Sequence, residues 1–234
     1  MSEPAQLVLD LPHRAALAAE DFLVSPANAA AVALVDRWPD WPLASALVVG
    51  PPHSGKSHLG NVWRLKAGAA EARAACDLTE PDVALLHRQR ALLIEDIHRG
   101  AGDRVEGAER VLFHLLNLAR EHRYHLLLTS ARLPGDLDIV LPDLRSRLRA
   151  LPLVGINAPD PELLRALLVK LFADRQLAVE PPVIGYLALH MERSMAAATQ
   201  LVDALDRRAL ASRRRVTRAL AAEVLAQPLD TEAG

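Results

Sequence analysis

The sequence predicts an α/β fold, a domain built on a central parallel sheet and followed by a small all-helical domain. Three observations carry this. Runs such as "ALVV" (46–49), "ALLIE" and "HLLLTS" are apolar on successive residues, as in strands covered on both faces by helices. Longer segments with apolar residues at helical spacing separate these runs. From Asp160 onward the strands stop and only helical patterns follow.

In chain order, residues 1–19 read as a flexible polar tail carrying one apolar patch, "QLVLDLP". "NAAAVALVDRW" (28–38) predicts a helix, broken by "PDWP" (39–42). "SALVVG" is a buried strand, and 56–70 a helix. "RAACDL" (73–78) predicts a short strand, and "RALLIEDIH" (90–98) a buried strand ending in acids. "GAERVLFHLLNLAREH" (107–122) has helical spacing, and "YHLLLTS" (124–130) is another buried strand. "PDLRSRLRA" (142–150) predicts a helix and "LPLVGI" (151–156) a short strand.

The chain then divides near Ala158. Helices are expected at 160–175, 180–190, 194–211 and 217–226, with "PDPELL" and "VEPPVI" as start signals. The expected organisation is a tail at 1–19, an α/β domain at 20–158, a helical domain at 159–226 and a tail at 227–234.

Composition bounds the function. The 234 residues are 51% hydrophobic but only 3% aromatic, so Ala, Leu and Val must fill the core. A net charge of -2 argues against a broad nucleic-acid surface, so no direct sequence-specific DNA binding is expected. One cysteine, Cys76, cannot form an internal disulfide and suits a reducing compartment. No apolar run reaches the ~18 residues of a membrane span, and no signal pattern opens the chain. A cytoplasmic protein without a membrane role is expected. Nine histidines lack metal-ligand spacing, so zinc is not expected.

The stretch "GPPHSGKS" fits G-x-x-x-x-G-K-[ST] between a strand and a helix, the context a phosphate loop needs. Gly50, Pro51, Pro52, His53, Ser54, Gly55, Lys56, Ser57 and His58 form the expected nucleotide-binding segment. The backbone N–H groups curl round an anion, and a side chain at Gly55 would crowd it. The helix N-terminus faces the same anion. Lys56 adds charge at the outer phosphates, and the Ser57 hydroxyl can ligate Mg²⁺. The ligand read from this motif is ATP or ADP with Mg²⁺.

"ALLIED" supplies the carboxylates such a site needs. Glu95 can share the Mg²⁺ with Ser57, and the second acid, Asp96, can orient an attacking water. "LLLTS" brings Thr129 and Ser130 to a neighbouring strand end, where hydroxyls could meet a γ-phosphate. Arg145 and Arg147 follow in "DLRSRLRA". Either could complete a neighbour's nucleotide site or simply end a solvated basic helix. Arg193, in "MERSM", could reach over bound phosphates from the helical domain or lie on its surface.

Together these residues resemble the AAA+ ATPases of the DnaA clan, from about Glu20 to Ala226. "EDFLVSPANAAAV" is similar to that clan's adenine-side motif, with Phe22, Val24 and Asn28 matching and Ser25 where Gly is usual. "GKSHL" (55–59) is similar to its phosphate-loop exit, "LLLTSARLP" to its sensor-1 strand and "MERSMAAATQLVDALD" to its sensor-2 helix, with the arginine at Arg193. "PDLRSRL" resembles its box VII, which implies an arginine finger at Arg147, with Arg145 the alternative if the register differs.

A short polar tail stands where DnaA has a DNA-binding domain after the lid. In the N-terminal tail, "QLVLDL" resembles a sliding-clamp-binding peptide, with Gln6, Leu7, Leu9 and Leu11 as its residues. That layout is similar to the Hda family, regulators that inactivate the replication initiator. The implied partners are the polymerase sliding clamp and DnaA, with self-association possible for such a fold.

The resemblance departs from the pattern at three places. Glu95 replaces the usual Asp, Ala131 stands at the sensor-1 position, and the segment between Ser57 and Glu95 is short, which implies a truncated second strand. These departures imply weak hydrolysis in its own site. The function implied is nucleotide binding, clamp tethering and stimulation of ATP hydrolysis on DnaA through Arg147. Two alternatives share the residues: an autonomous ATPase such as a helicase loader, and a non-catalytic clamp-binding scaffold.

Overall fold

A computed structural model of the chain describes residues 23–69, 71–99, 106–212 and 214–226. The clamp-peptide residues Gln6, Leu7, Leu9 and Leu11, together with Phe22, lie outside the described residues. The order of elements is α1 (Ala29–Asp36), β1 (Ser45–Val49), α2 (Lys56–Lys66), β2 (Ala72–Ala74), α3 (Glu80–Gln89), β3 (Ala91–Glu95), α4 (Glu106–His122), β4 (His125–Ser130), α5 (Pro142–Ala150) and β5 (Leu153–Gly155). Four helices follow: α6 (Pro161–Asp174), α7 (Pro181–His190), α8 (Met195–Ser212) and α9 (Arg218–Leu225).

The five strands form one sheet in the order β2-β3-β4-β1-β5, and every pairing is parallel. Alternation along each strand sorts its side chains between two cores. Ala46, Val48, Leu93 and Leu127 pack with Leu34, Leu59 and Trp63 of α1 and α2. Leu47, Ile94, Leu126 and Leu128 pack with Leu86, Leu115 and Leu144 of α3, α4 and α5. All three tryptophans gather at the first of these cores, Trp41 stacking on Trp63 at 5.6 Å and Trp38 meeting Trp63 edge-on at 6.4 Å.

The helical part has a core of its own. Leu164, Leu168 and Phe172 of α6 meet Leu187 of α7, Leu201 and Leu205 of α8, and Val224 of α9. Asp160 caps α6 by accepting from the Leu163 N–H at 2.7 Å, so "PDPELL" acts as the start signal its composition predicts. Among the described residues no helix is long and apolar enough to cross a membrane.

Two elements differ from expectation. The predicted strand at 73–78 shrinks to β2, three residues long, and a 3₁₀ turn over Ala75–Asp77 follows it. Helix α3 was not predicted at all. Its start is a capping box: the Asp82 carboxylate accepts from the Thr79 N–H at 2.8 Å, with Pro81 in the first turn. Boundaries also move inward. β3 ends at Glu95 because Asp96 adopts a φ of 55°, which no strand residue has, and α2 ends at Lys66.

Candidate functional site

β1 lies between β4 and β5, so the loop after it opens at the carboxyl ends of three adjacent strands. This is the position where open parallel sheets bind ligands. Gly50 ends β1 against β5. A Cβ there would lie 2.4 Å from the Ile156 carbonyl oxygen, so only glycine fits. Gly55 is required by its own backbone. It adopts a φ of +100°, a left-handed conformation that costs other residues dearly, while a Cβ would meet little. His53 is also left-handed, at 58°.

Lys56 opens α2 and is buried. Its Nζ donates to the Gly50 carbonyl at 2.9 Å and the Pro51 carbonyl at 2.7 Å. Burial pushes its ammonium below the ordinary 10.5, and the Asp96 and Glu95 carboxylates pull the other way. Ser57 is exposed one residue further on. The Ser54 hydroxyl is buried without a hydrogen-bond partner.

Across the mouth of the loop, Oε1 of Glu95 is buried and without a hydrogen-bond partner. An orphaned carboxylate oxygen beside the Lys56 loop fits a hard cation, because Mg²⁺ takes oxygen ligands and shares them with phosphates. Ser57 and Glu95 are the residues that would hold it. Among the described residues no cluster of three His, Cys, Asp or Glu forms a self-contained metal site.

The remaining polar groups at this end are already engaged. The Thr129 Oγ1 accepts from the Asp96 N–H at 3.1 Å and is 1% exposed, so it fixes the backbone of the second acid. Ser130 is fully buried. Its hydroxyl donates to the Arg132 carbonyl at 2.7 Å and accepts from the Arg132 N–H at 3.1 Å. The Ser130 hydroxyl, expected near a γ-phosphate, here closes the turn after β4. Asn28 is likewise held within its own turn, its Nδ2 donating to Leu23 and its Oδ1 accepting from Ser25, both at 2.9 Å.

His98 is a site residue that sequence reasoning missed. Its Nδ1 accepts from the Ala131 N–H at 3.1 Å, so the ring ties the turn after β3 to the turn after β4. Asp96 Oδ1 lies 3.9 Å from the same nitrogen. Burial lowers the His98 pKa below the ordinary 6.5, against the pull of Asp96. No motif marks this histidine, and only the pairing of β3 beside β4 brings it to Ala131.

From the helical part, Arg193 is exposed, two residues before α8. The contact to the phosphate loop is made instead by Met195, whose N–H donates to the His53 carbonyl at 3.1 Å.

Arg147 lies at the opposite end of the sheet. It lines an apolar cavity of about 230 Å³ together with Leu43, Ala44 and Ser45, which lead into β1. The phosphate loop follows the other end of that strand, roughly 16 Å away at about 3.3 Å per residue. The Arg147 guanidinium lies over the Phe113 ring, with Cζ 5.2 Å from the centroid. Arg145 is exposed, on a different side of α5.

Comparison with known proteins agrees with the fold. Residues 161–225 match the family model described as "Hda, lid domain". Domain III of the replication initiation protein DnaA from Thermotoga maritima is similar over 90% of this chain and 96% of its own, at 18% identity and a TM-score of 0.74. AMPPCP-bound DnaA from Aquifex aeolicus is similar over 83% of this chain and 68% of its own, at 21% identity and a TM-score of 0.67. A variant of RuvB from Thermotoga maritima follows, over 86% and 66%, at 16% identity and a TM-score of 0.64.

Proposed function

We propose that this Hda- and DnaA-related AAA+ protein regulates replication initiation by lending Arg147 to the nucleotide site of ATP-bound DnaA. It holds adenine nucleotide, ADP or ATP with Mg²⁺, in its own loop through Lys56, Ser57 and Glu95. "QLVLDL" tethers it to the sliding clamp.

One observation carries this reading. Arg147 sits beside the residues that lead into β1, while the phosphate loop follows the far end of that strand. An arginine at that distance cannot serve its own nucleotide, so a catalytic role for it requires a second protein's site. There a guanidinium stabilises charge developing on the γ-phosphate, an effect confined to the transition state. The buried, engaged hydroxyls of Thr129 and Ser130 support a site that retains nucleotide rather than turning it over quickly.

The test is a mixed assay. ATP hydrolysis by DnaA is measured with clamp loaded on DNA, with and without this protein. Strong stimulation is expected. Deletion of residues 1–12 should abolish co-elution with the clamp and most of the stimulation. No acceleration by the full chain at saturating clamp would reject the reading, and clamp binding by the truncated chain would reject the peptide.

A further inference from the structure

We infer that α4 presets the arginine: Phe113 and Glu109 are positioning residues that hold Arg147 ready for a partner's nucleotide. The inference rests on the reading of Arg147 as a finger acting in trans.

Two grips run from one face of α4 to the two ends of α5. Glu109 is only 3% exposed. Its carboxylate accepts from the Val140 N–H, at 3.1 Å to each oxygen, and from the Leu141 N–H at 2.9 Å. Those two residues lead straight into α5. A buried carboxylate is tolerated only when hydrogen-bonded, and a helix N-terminus favours negative charge, so this contact sets where α5 begins. Phe113 follows Glu109 by four residues and therefore lies on the same face of α4. It meets the last turn of α5, with its ring under the Arg147 guanidinium. Leu116 continues the stripe and lines the cavity beside Arg147.

Three arginines alternate along α5, at 145, 147 and 149. Arg145 and Arg149 are exposed, and only Arg147 is backed by an aromatic ring. This cation–π contact uses no hydrogen-bond acceptor, so it leaves the N–H donors by which a guanidinium recognises phosphate unspent. Among the described residues those donors make no hydrogen bond. The ring thus limits the rotamers of a long side chain before the partner arrives, so less ordering is needed at the interface. The same contact selects Arg147 over Arg145 as the finger.

The experiment compares Phe113→Leu, Phe113→Tyr and Arg147→Ala in the stimulated hydrolysis assay, with the full chain titrated to saturation. Phe113→Leu should lower the maximal stimulation about tenfold, leave the half-saturating concentration unchanged, and leave nucleotide affinity intact. Phe113→Tyr should restore stimulation because its ring presents the same face. A second readout is the Arg147 Nε–Hε NMR signal, which should lose its ring-current shift in Phe113→Leu and keep it in Phe113→Tyr. Full stimulation by Phe113→Leu, with none by Arg147→Ala, would overturn the positioning role and leave the finger standing. Full stimulation by Arg147→Ala would overturn both. A loss in Phe113→Leu without movement of the Arg147 signal would mean that the ring acts by another route, and would also overturn the inference.

Discussion

The two ends of the sheet handle their polar groups in opposite ways. At the carboxyl end, beside the phosphate loop, most of them already serve the protein's own backbone. Thr129 holds Asp96, Ser130 closes its turn, His98 holds Ala131, and Lys56 rests on two loop carbonyls. At the amino end, Arg147 lies over a ring, and among the described residues its donors are open. The first arrangement rigidifies a cradle, and the second keeps a charged group available. On the function proposed above, the difference means that retaining a ligand and supplying a catalytic group are separated across one sheet, because each depends on different side chains about 16 Å apart.

The comparison can be broken most severely at Arg147. Arg147→Ala should reduce stimulation of DnaA by about 10³- to 10⁵-fold and leave nucleotide binding to its own loop intact. Arg147→Lys should recover little, since an ammonium lacks the planar fork. Stimulation rates read the first effect, and calorimetry with ADP reads the second.

Lys56→Ala breaks the other end. The charge-assisted contact it should make to phosphate contributes roughly 1.5–3 kcal/mol, so ADP affinity should fall about 10- to 100-fold by calorimetry. Equal ADP affinity in wild type and variant would reject the loop's assignment.

The smallest effect sharpens the comparison by standing apart from both ends. Asp82 holds the start of α3 and pairs with Arg73 at 2.7 Å. Burial raises its carboxyl, but the hydrogen bonds from Thr79 and Arg73 outweigh that and hold its pKa below the ordinary 3.8. A lowered folded-state value means that the unfolded chain binds the proton more readily. The stability Asp82 adds is therefore complete above pH 3.8 and is lost as pH falls through the lower folded value. Asp82→Ala should cost about 1–3 kcal/mol at neutral pH, several degrees of melting temperature, and should flatten the acid limb of the stability curve. Stimulation below the melting range should be unchanged. A wild-type acid limb in this variant would reject the assignment.

Much of the fold was legible because its signals are local. Buried strands announce themselves by unbroken apolar runs, and "GPPHSGKS" lies between such a run and a helix. Proline and acid residues marked the starts of α5, α6 and α7. Helix α3 was missed although its signal was also local, for Thr79 and Asp82 form a capping box whose N3 acid is Asp rather than the commoner Glu.

What the sequence by itself determined, then, was the class of fold, the glycine-bearing loop between β1 and α2, and the arginine-bearing helix. Each follows from neighbours within a few turns of chain. The tertiary structure alone decided the fate of the polar side chains. Ser130 is turned inward because the chain after β4 needs its hydroxyl, and His98 reaches Ala131 because β3 and β4 pair side by side. Phe113 lies under Arg147, 34 positions later, because α4 packs along α5. Hydrogen bonds and stacking act over a few ångströms of space whatever the separation in sequence, so only the packed chain shows which groups are engaged and which remain open.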